Sequence, residues 1–148
     1  LAKLTPAGHK AAHHDLLLPD AAGGEYMDLG YLLQRYDSML PAAERNGFGQ
    51  FTLRLPPDQP PHRGWEQARA WVRSYFVCQE QLAALMVLHL PYLAGSPNAS
   101  HIHIVLPARR LSVNGFTGHA RDVCSDGGCH DAWNAWLSFQ KEGGSCVK

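Results

Sequence analysis

Apolar and polar positions along this chain change period several times, and each change marks a predicted element. Phe51-Thr52-Leu53-Arg54-Leu55 alternates with period two, which predicts a strand with one wet face, stopped by the prolines from Pro56 to Pro61. Upstream, Leu29, Leu32, Leu33 and Tyr36 recur at helical spacing behind Asp28, a residue type that caps helices, so a helix is predicted through about Met39, ended or kinked by Pro41. Downstream, Trp65, Ala68, Val72, Tyr75, Phe76 and Gln79 form a broad apolar stripe on a long helix from about Arg63 to Gln81. Residues 85–90 and 101–106 read as two strands joined by a longish hairpin loop that holds Gly95, Pro97 and Asn98. A Gly-rich polar segment follows at 112–128, and an amphipathic helix around Asp131–Lys141 presents Trp133, Trp136, Leu137 and Phe139. Residues 1–24, broken by Pro6, Gly8, Pro19, Gly23 and Gly24, read as a loop arm that Leu16-Leu17-Leu18 pins to the core, and 142–148 as a flexible tail. Strand, helix, strand, strand, helix predicts one α+β domain over residues 1–148: an antiparallel sheet with helices packed mainly on one face.

Composition narrows the setting without naming a partner. The chain has 148 residues, enough for a real core, with 45% hydrophobic and 18% charged residues. There is no apolar stretch of about 18 residues, so no membrane partner is expected. The segment Leu1–Pro6 lacks the apolar core of a signal peptide, and a bacterial cytoplasmic location is expected. Because it starts with Leu1 instead of Met, the chain is expected to be a trimmed piece of something longer. A net charge of zero with histidine neutral argues against a protein held on DNA by electrostatics alone, an objection softened by nine histidines that gain charge below neutral pH. Cys78, Cys124, Cys129 and Cys146 read as ordinary reduced thiols, with a structural zinc knot or a disulfide around Cys124-Ser-Asp-Gly-Gly-Cys129 as the alternatives.

The chemistry concentrates in His89, His101 and His103. His101 and His103 share one face of a strand, because side chains alternate with period two, while Ile102 and Ile104 turn toward the helices. If the two strands pair about a loop centred near Gly95, His89 lies opposite His101, and three ring nitrogens come within reach of one point. Three neutral imidazoles leave coordination positions open, as a catalytic ion requires, and by themselves suit zinc, nickel, copper or iron better than magnesium. The plainer reading is a set of hydrogen-bonded surface histidines.

The run Leu88-His89 … Asn98-Ala99-Ser100-His101-Ile102-His103-Ile104, followed by Arg109-Arg110-Leu111 and Gly115-Phe116, resembles relaxases of the MobA/MobL mobilisation type, which are HUH endonucleases. His14-Asp15-Leu16-Leu17-Leu18-Pro19, Leu53-Arg54-Leu55-Pro56 and the closing helix with Trp133 and Trp136 fit the same layout, so the resemblance spans roughly residues 13 to 140. It implies an antiparallel sheet with a three-histidine site for a divalent ion, manganese or magnesium in this family. It also implies a tyrosine that attacks a DNA phosphodiester, leaving a 5′ phosphotyrosine link and a free 3′ hydroxyl. The implied partners are single-stranded DNA at an origin of transfer and other relaxosome proteins, with Arg109, Arg110 and Arg121 as phosphate contacts and a solvated face as their plainer reading.

The chain departs from the family pattern in three places. Ala99-Ser100 separate Asn98 from the paired histidines, where the family has Asn-Pro directly before them, and Gln50 stands where the family tends to carry an acidic residue. The family's tyrosine precedes the His-Leu-Leu-Pro-like segment, on sequence expected to be absent from this chain. Tyr26, His13 and His14 are then the weak candidates for the nucleophile, with Tyr31 and Tyr36 read as helix packing residues. Two other classes compete. His101-Ile102-His103-Ile104-Val105 is similar to the histidine-triad nucleotide hydrolases, although Val105 occupies the third histidine's place and His89 has no role there. A non-catalytic DNA-binding accessory domain is the other alternative.

Overall fold

The computed structural model describes residues 11–40 and 47–143. In chain order it contains strand β1 (His13–Leu17), a 3-10 turn at Gly24–Met27, helix α1 (Leu29–Met39), strand β2 (Phe48–Arg54) and helix α2 (Pro61–Val72). Strands β3 (Ala84–His89), β4 (His101–Pro107), β5 (Arg109–Ser112) and β6 (Gly115–His119) follow, and helix α3 (Asp126–Gly143) closes the chain. The main sheet has four antiparallel strands in the order β1-β3-β4-β2, and β5 and β6 form a separate hairpin.

The expected α+β architecture is the one observed. β4 alternates as its sequence requires: Ile102, Ile104 and Leu106 are fully buried against the helical layer, while His101, His103 and Val105 face the other way and are half-buried. The helical layer is α2 and α3. Trp65, Ala68, Trp71 and Val72 of α2 and Ala132 and Trp136 of α3 join Met86, Leu88, Ile102 and Ile104 in one core cluster, with Trp71 and Trp136 in contact at 5.2 Å between ring centroids. β3, central and covered on both sides, is apolar until it reaches its last residue, His89.

A second cluster forms where α1, the 3-10 turn and the β5–β6 hairpin meet Leu16 of β1. It holds Tyr26, Leu32, Tyr36, Leu111 and Phe116, and so covers one end of the sheet face that carries the histidines. Tyr36 locks α1 to the sheet: its hydroxyl accepts the Ala108 N–H at 3.0 Å and donates to the Gly47 carbonyl. The helix cap also forms as expected, with the Asp28 side chain accepting the Tyr31 N–H at 2.8 Å.

Four expected boundaries shift. Within the loop arm, residues 13–17 are an edge strand; its polar start, the exposed His13 and His14 and the half-buried Asp15, hides the alternation, and pairing with β3 supplies the order. Residues 1–10 lie outside the described residues, as do 144–148 of the expected tail, whereas Glu142 and Gly143 still belong to α3. The long helix is regular only to Val72, then slackens into π-type turns over Arg73–Gln79 before Gln81 takes a left-handed φ of 57°. The Gly-rich segment supplies β6, and α3 begins at Asp126, five residues ahead of the expected Asp131. That early start depends on glycine, since a Cβ on Gly128 would stand 2.3 Å from the carbonyl oxygens of both Asp122 and Val123. Among the described residues no helix is long and apolar enough to cross a membrane.

Gly128→Ala forces a backbone shift and is expected to cost about 1–3 kcal/mol, as overpacking does. At Gly127 the nearest atom to an added Cβ is 3.9 Å away, so Gly127→Ala should be neutral or gain up to about 1 kcal/mol of helix propensity. Urea denaturation of the two variants checks the contrast; equal midpoints would show that α3 does not rest on this contact.

Candidate metal centre

Two antiparallel strands of opposite phase bring the three histidines together. The register pairs His89 with His101 and Val87 with His103, so all three imidazoles rise from the same face at one end of the sheet. The ring centroids are 5.2 Å apart for His89 and His101, 5.1 Å for His89 and His103, and 4.9 Å for His101 and His103. His89 is buried, and the other two are half-buried beside it. In the next row of the same face Val87 lies between His14 and His103, and beyond it Leu85 lies between Leu16 and Val105, the residues under the second cluster. The third same-face position of β4 is thus a valine, and the third histidine comes from the neighbouring strand, an arrangement that does not reproduce the histidine-triad pattern.

Hydrogen bonds orient two of the rings. His101 Nδ1 lies 3.0 Å from the Ala99 carbonyl oxygen. A carbonyl only accepts, so Nδ1 is the donor and Nε2 is the nitrogen turned to other partners. His103 Nδ1 lies 3.0 Å from Thr52 Oγ1, on the strand directly across from it. Contacts of this kind to the second nitrogen fix the rotation and tautomer of imidazoles that bind metals. Burial first, and then its neighbours His101 and His89, hold the His103 pKa below its usual value, so the ring is neutral at physiological pH. Among the described residues no group of three His, Cys, Asp or Glu side chains is already arranged to hold a metal ion. The donor set itself, three imidazoles with His101 and His103 oriented through Nδ1, fits a divalent ion.

The other candidate residues scatter. His13 belongs to the opposite face, where its ring meets Trp65 edge-on at 4.9 Å. His14 is exposed on the histidine face, two strands from His103. Tyr26 is buried, its ring edge-on to Tyr31 and Phe116 in the second cluster. Arg109 and Arg110 follow the far end of β4, roughly 20 Å along the strand from His101. Arg109 Nη1 donates to the Thr117 carbonyl at 3.2 Å, Arg110 pairs with Glu80 at 3.2 Å and Asp122 at 3.5 Å, and Arg121 is exposed in the loop before α3. The structure therefore does not bring these arginines to the histidines.

It brings Arg54 there instead. Arg54 lies directly across from His101 on the exposed edge strand β2, and Thr52 occupies the place beside His103, one row away from Gln50. Sequence alternation had put Thr52 and Arg54 on the wet face of their strand, but only the pairing register shows which histidine each one meets. Cys78, Cys124 and Cys129 are free thiols; burial, with Asp122 adding to it, pushes Cys124 up to about 11, which makes it a packing residue rather than a nucleophile. Cys146 lies outside the described residues.

No protein-family model matches this chain, and no curated protein sequence matches it. Its fold is similar to that of a solved structure described as the molecular basis of vancomycin resistance transfer in Staphylococcus aureus, with a TM-score of 0.74 and 18% identity over 94% of this chain and 74% of the other. At that identity the likeness establishes the fold: this chain has the architecture of a protein involved in vancomycin resistance transfer in Staphylococcus aureus.

Proposed function

We propose that this chain is a relaxase-like, metal-dependent DNA-nicking domain of plasmid mobilisation, with His89, His101 and His103 holding one divalent ion. The observation that carries the reading is the convergence of three imidazoles, within 5.2 Å of one another by ring centroid, on one sheet face. Support comes from the sequence resemblance to MobA/MobL-type relaxases and from the shared fold with a protein of resistance transfer. Manganese or magnesium follows from the resemblance, while zinc and nickel also suit the imidazoles. An ion bound there would polarise a scissile phosphodiester and offset the charge that develops on its oxygens.

The remaining roles belong to the chain's own side chains. The Ala99 carbonyl and Thr52 Oγ1 hold the His101 and His103 rings in place. Arg54, beside His101, presents a guanidinium fork to a phosphate oxygen, a geometry that a lysine would not reproduce. DNA is the partner in this reading, as a single strand at an origin of transfer, in a relaxosome with other proteins. Attack requires a hydroxyl in line with the leaving oxygen, and positioning supplies much of the rate. Of the five tyrosines, Tyr26 and Tyr36 are too buried for that role, and Tyr31 packs edge-on against Tyr26 in the second cluster. Tyr75 and Tyr92 belong to the opposite face, the first stacked on Trp71 and the second beside Trp65 and Leu88. Residues 1–148 thus hold the ion and the strand without forming the phosphotyrosine link themselves. That leaves the DNA-binding accessory role as the second reading.

Three measurements test this. Calorimetry with Mn²⁺ should show one ion per chain, with binding lost when His89, His101 or His103 is replaced by Ala and weakened about tenfold or more in Thr52→Val. Unchanged binding in all three histidine variants would place the ion elsewhere. Single-stranded oligonucleotide binding should fall with salt on a shallow slope, and Arg54→Ala should reduce that slope by about one; an unaltered slope removes Arg54 from the phosphate path. On a denaturing gel, residues 1–148 with a labelled oligonucleotide and Mn²⁺ should give no covalent band. A band mapped to Tyr26 or His14 would overturn the assignment.

A further inference from the structure

Behind the histidines, on the opposite face of the same sheet end, lies a cavity of about 400 Å³ lined by His13, His62, Trp65, Glu66, Leu88 and Tyr92, among others. Three elements build it. α2 contributes His62, Trp65 and Glu66 from its first turns, β1 contributes His13 from its first residue, and β3 with the turn after it contributes Leu88 and Tyr92. The mechanism proposed above uses none of these side chains. Trp65 is buried and forms the floor, with the His13 ring standing edge-on against it at 4.9 Å. Tyr92 is 55% exposed, far more than a packing tyrosine, and lies at the mouth. His62 and Glu66 are exposed one turn apart on α2.

We infer that this cavity takes an unstacked nucleobase from the single strand whose phosphate lies at the histidines; the inference rests on that reading of the histidine site and names a second contact for the same strand. Position is the first argument. Leu88 and Leu90 flank His89 in the chain, and alternation turns Leu88 to the far face, so the cavity and the three imidazoles share one strand end. A strand crossing this end of the sheet passes from one to the other within a few nucleotides. Chemistry is the second. The exposed Tyr92 ring at the mouth can receive the flat face of a base, a contact that single-strand binders use repeatedly. The volume lies within the range of small-ligand pockets.

Charge at the rim then selects among bases. The Glu66 carboxylate only accepts hydrogen bonds, so it favours the exocyclic amines of cytosine, adenine and guanine over thymine, which has none. The adjoining phosphates are tolerated because α2 points its positive N-terminal end, with Arg63 exposed in the first turn, toward this mouth.

The test uses the ¹⁵N-labelled chain in EDTA, so that its result does not depend on a metal, and reads the Trp65 indole N–H resonance. Each of the four deoxynucleoside monophosphates is titrated, with deoxyribose 5-phosphate as the control. The expected result is a saturable shift with the amino-bearing bases, a weaker one with thymidine monophosphate, and none with the sugar phosphate. Tyr92→Ala, at an exposed position, should weaken binding about tenfold, and Glu66→Gln should narrow the gap to thymine. No shift with any nucleotide, an equal shift with the sugar phosphate, or full affinity in Tyr92→Ala overturns the inference. Manganese calorimetry separates the two proposals: ion binding without a nucleotide shift removes the base pocket alone, and a nucleotide shift without ion binding removes the metal reading alone.

Discussion

The antiparallel register between β3 and β4 is the constraint on which the rest of the molecule depends. It sets Ile102 across from Leu88 and Ile104 across from Met86 on the helical side, and in the same stroke sets His101 across from His89 on the other. Because side chains alternate with period two, a slip of one residue would send the imidazoles into the core and the isoleucines to the open face. The burial of Ile102, Ile104 and Met86 beneath α2 and α3 therefore holds the histidines in place as firmly as any contact among the histidines themselves. Apolar packing fixes the position of a polar site.

The two faces of that sheet are finished differently. One is sealed along most of its length by the tryptophans of α2 and α3, with a cavity at the His13 end. The other is covered at the Leu16 end by the cluster around Tyr36 and Phe116 and left open where the imidazoles stand. This division explains why His103 is neutral yet half-exposed: burial and two neighbouring imidazoles oppose its charge, while the second cluster does not reach its end of the face. At the far end Arg110 is tied to Glu80 and Asp122, which gives that arginine a structural role and leaves Arg54 as the cationic group across from the histidines.

The sequence by itself determined the elements whose signal is local. Alternation in 101–106 and 51–55, the helical stripe beginning at Trp65 and the Asp28 cap are statements about neighbouring residues, and each appears in the structure at nearly the expected place. The grouping of His89 with His101 and His103 was legible from local signals too, since alternation puts His101 and His103 on one face and a hairpin centred near Gly95 sets His89 across from His101. What only the tertiary structure decided is non-local. β1 carries no periodicity of its own and is ordered by β3; the early start of α3 depends on two carbonyls that leave no space for a Cβ at Gly128. Arg109 and Arg110 follow the histidine strand in sequence but stand at its other end, because a strand that carries residues forward along the chain also carries them about 3.3 Å apiece away in space. Arg54 and Thr52, some fifty residues earlier, reach the histidines because strand pairing joins positions by hydrogen bonds between backbones, and no spacing along the chain encodes that.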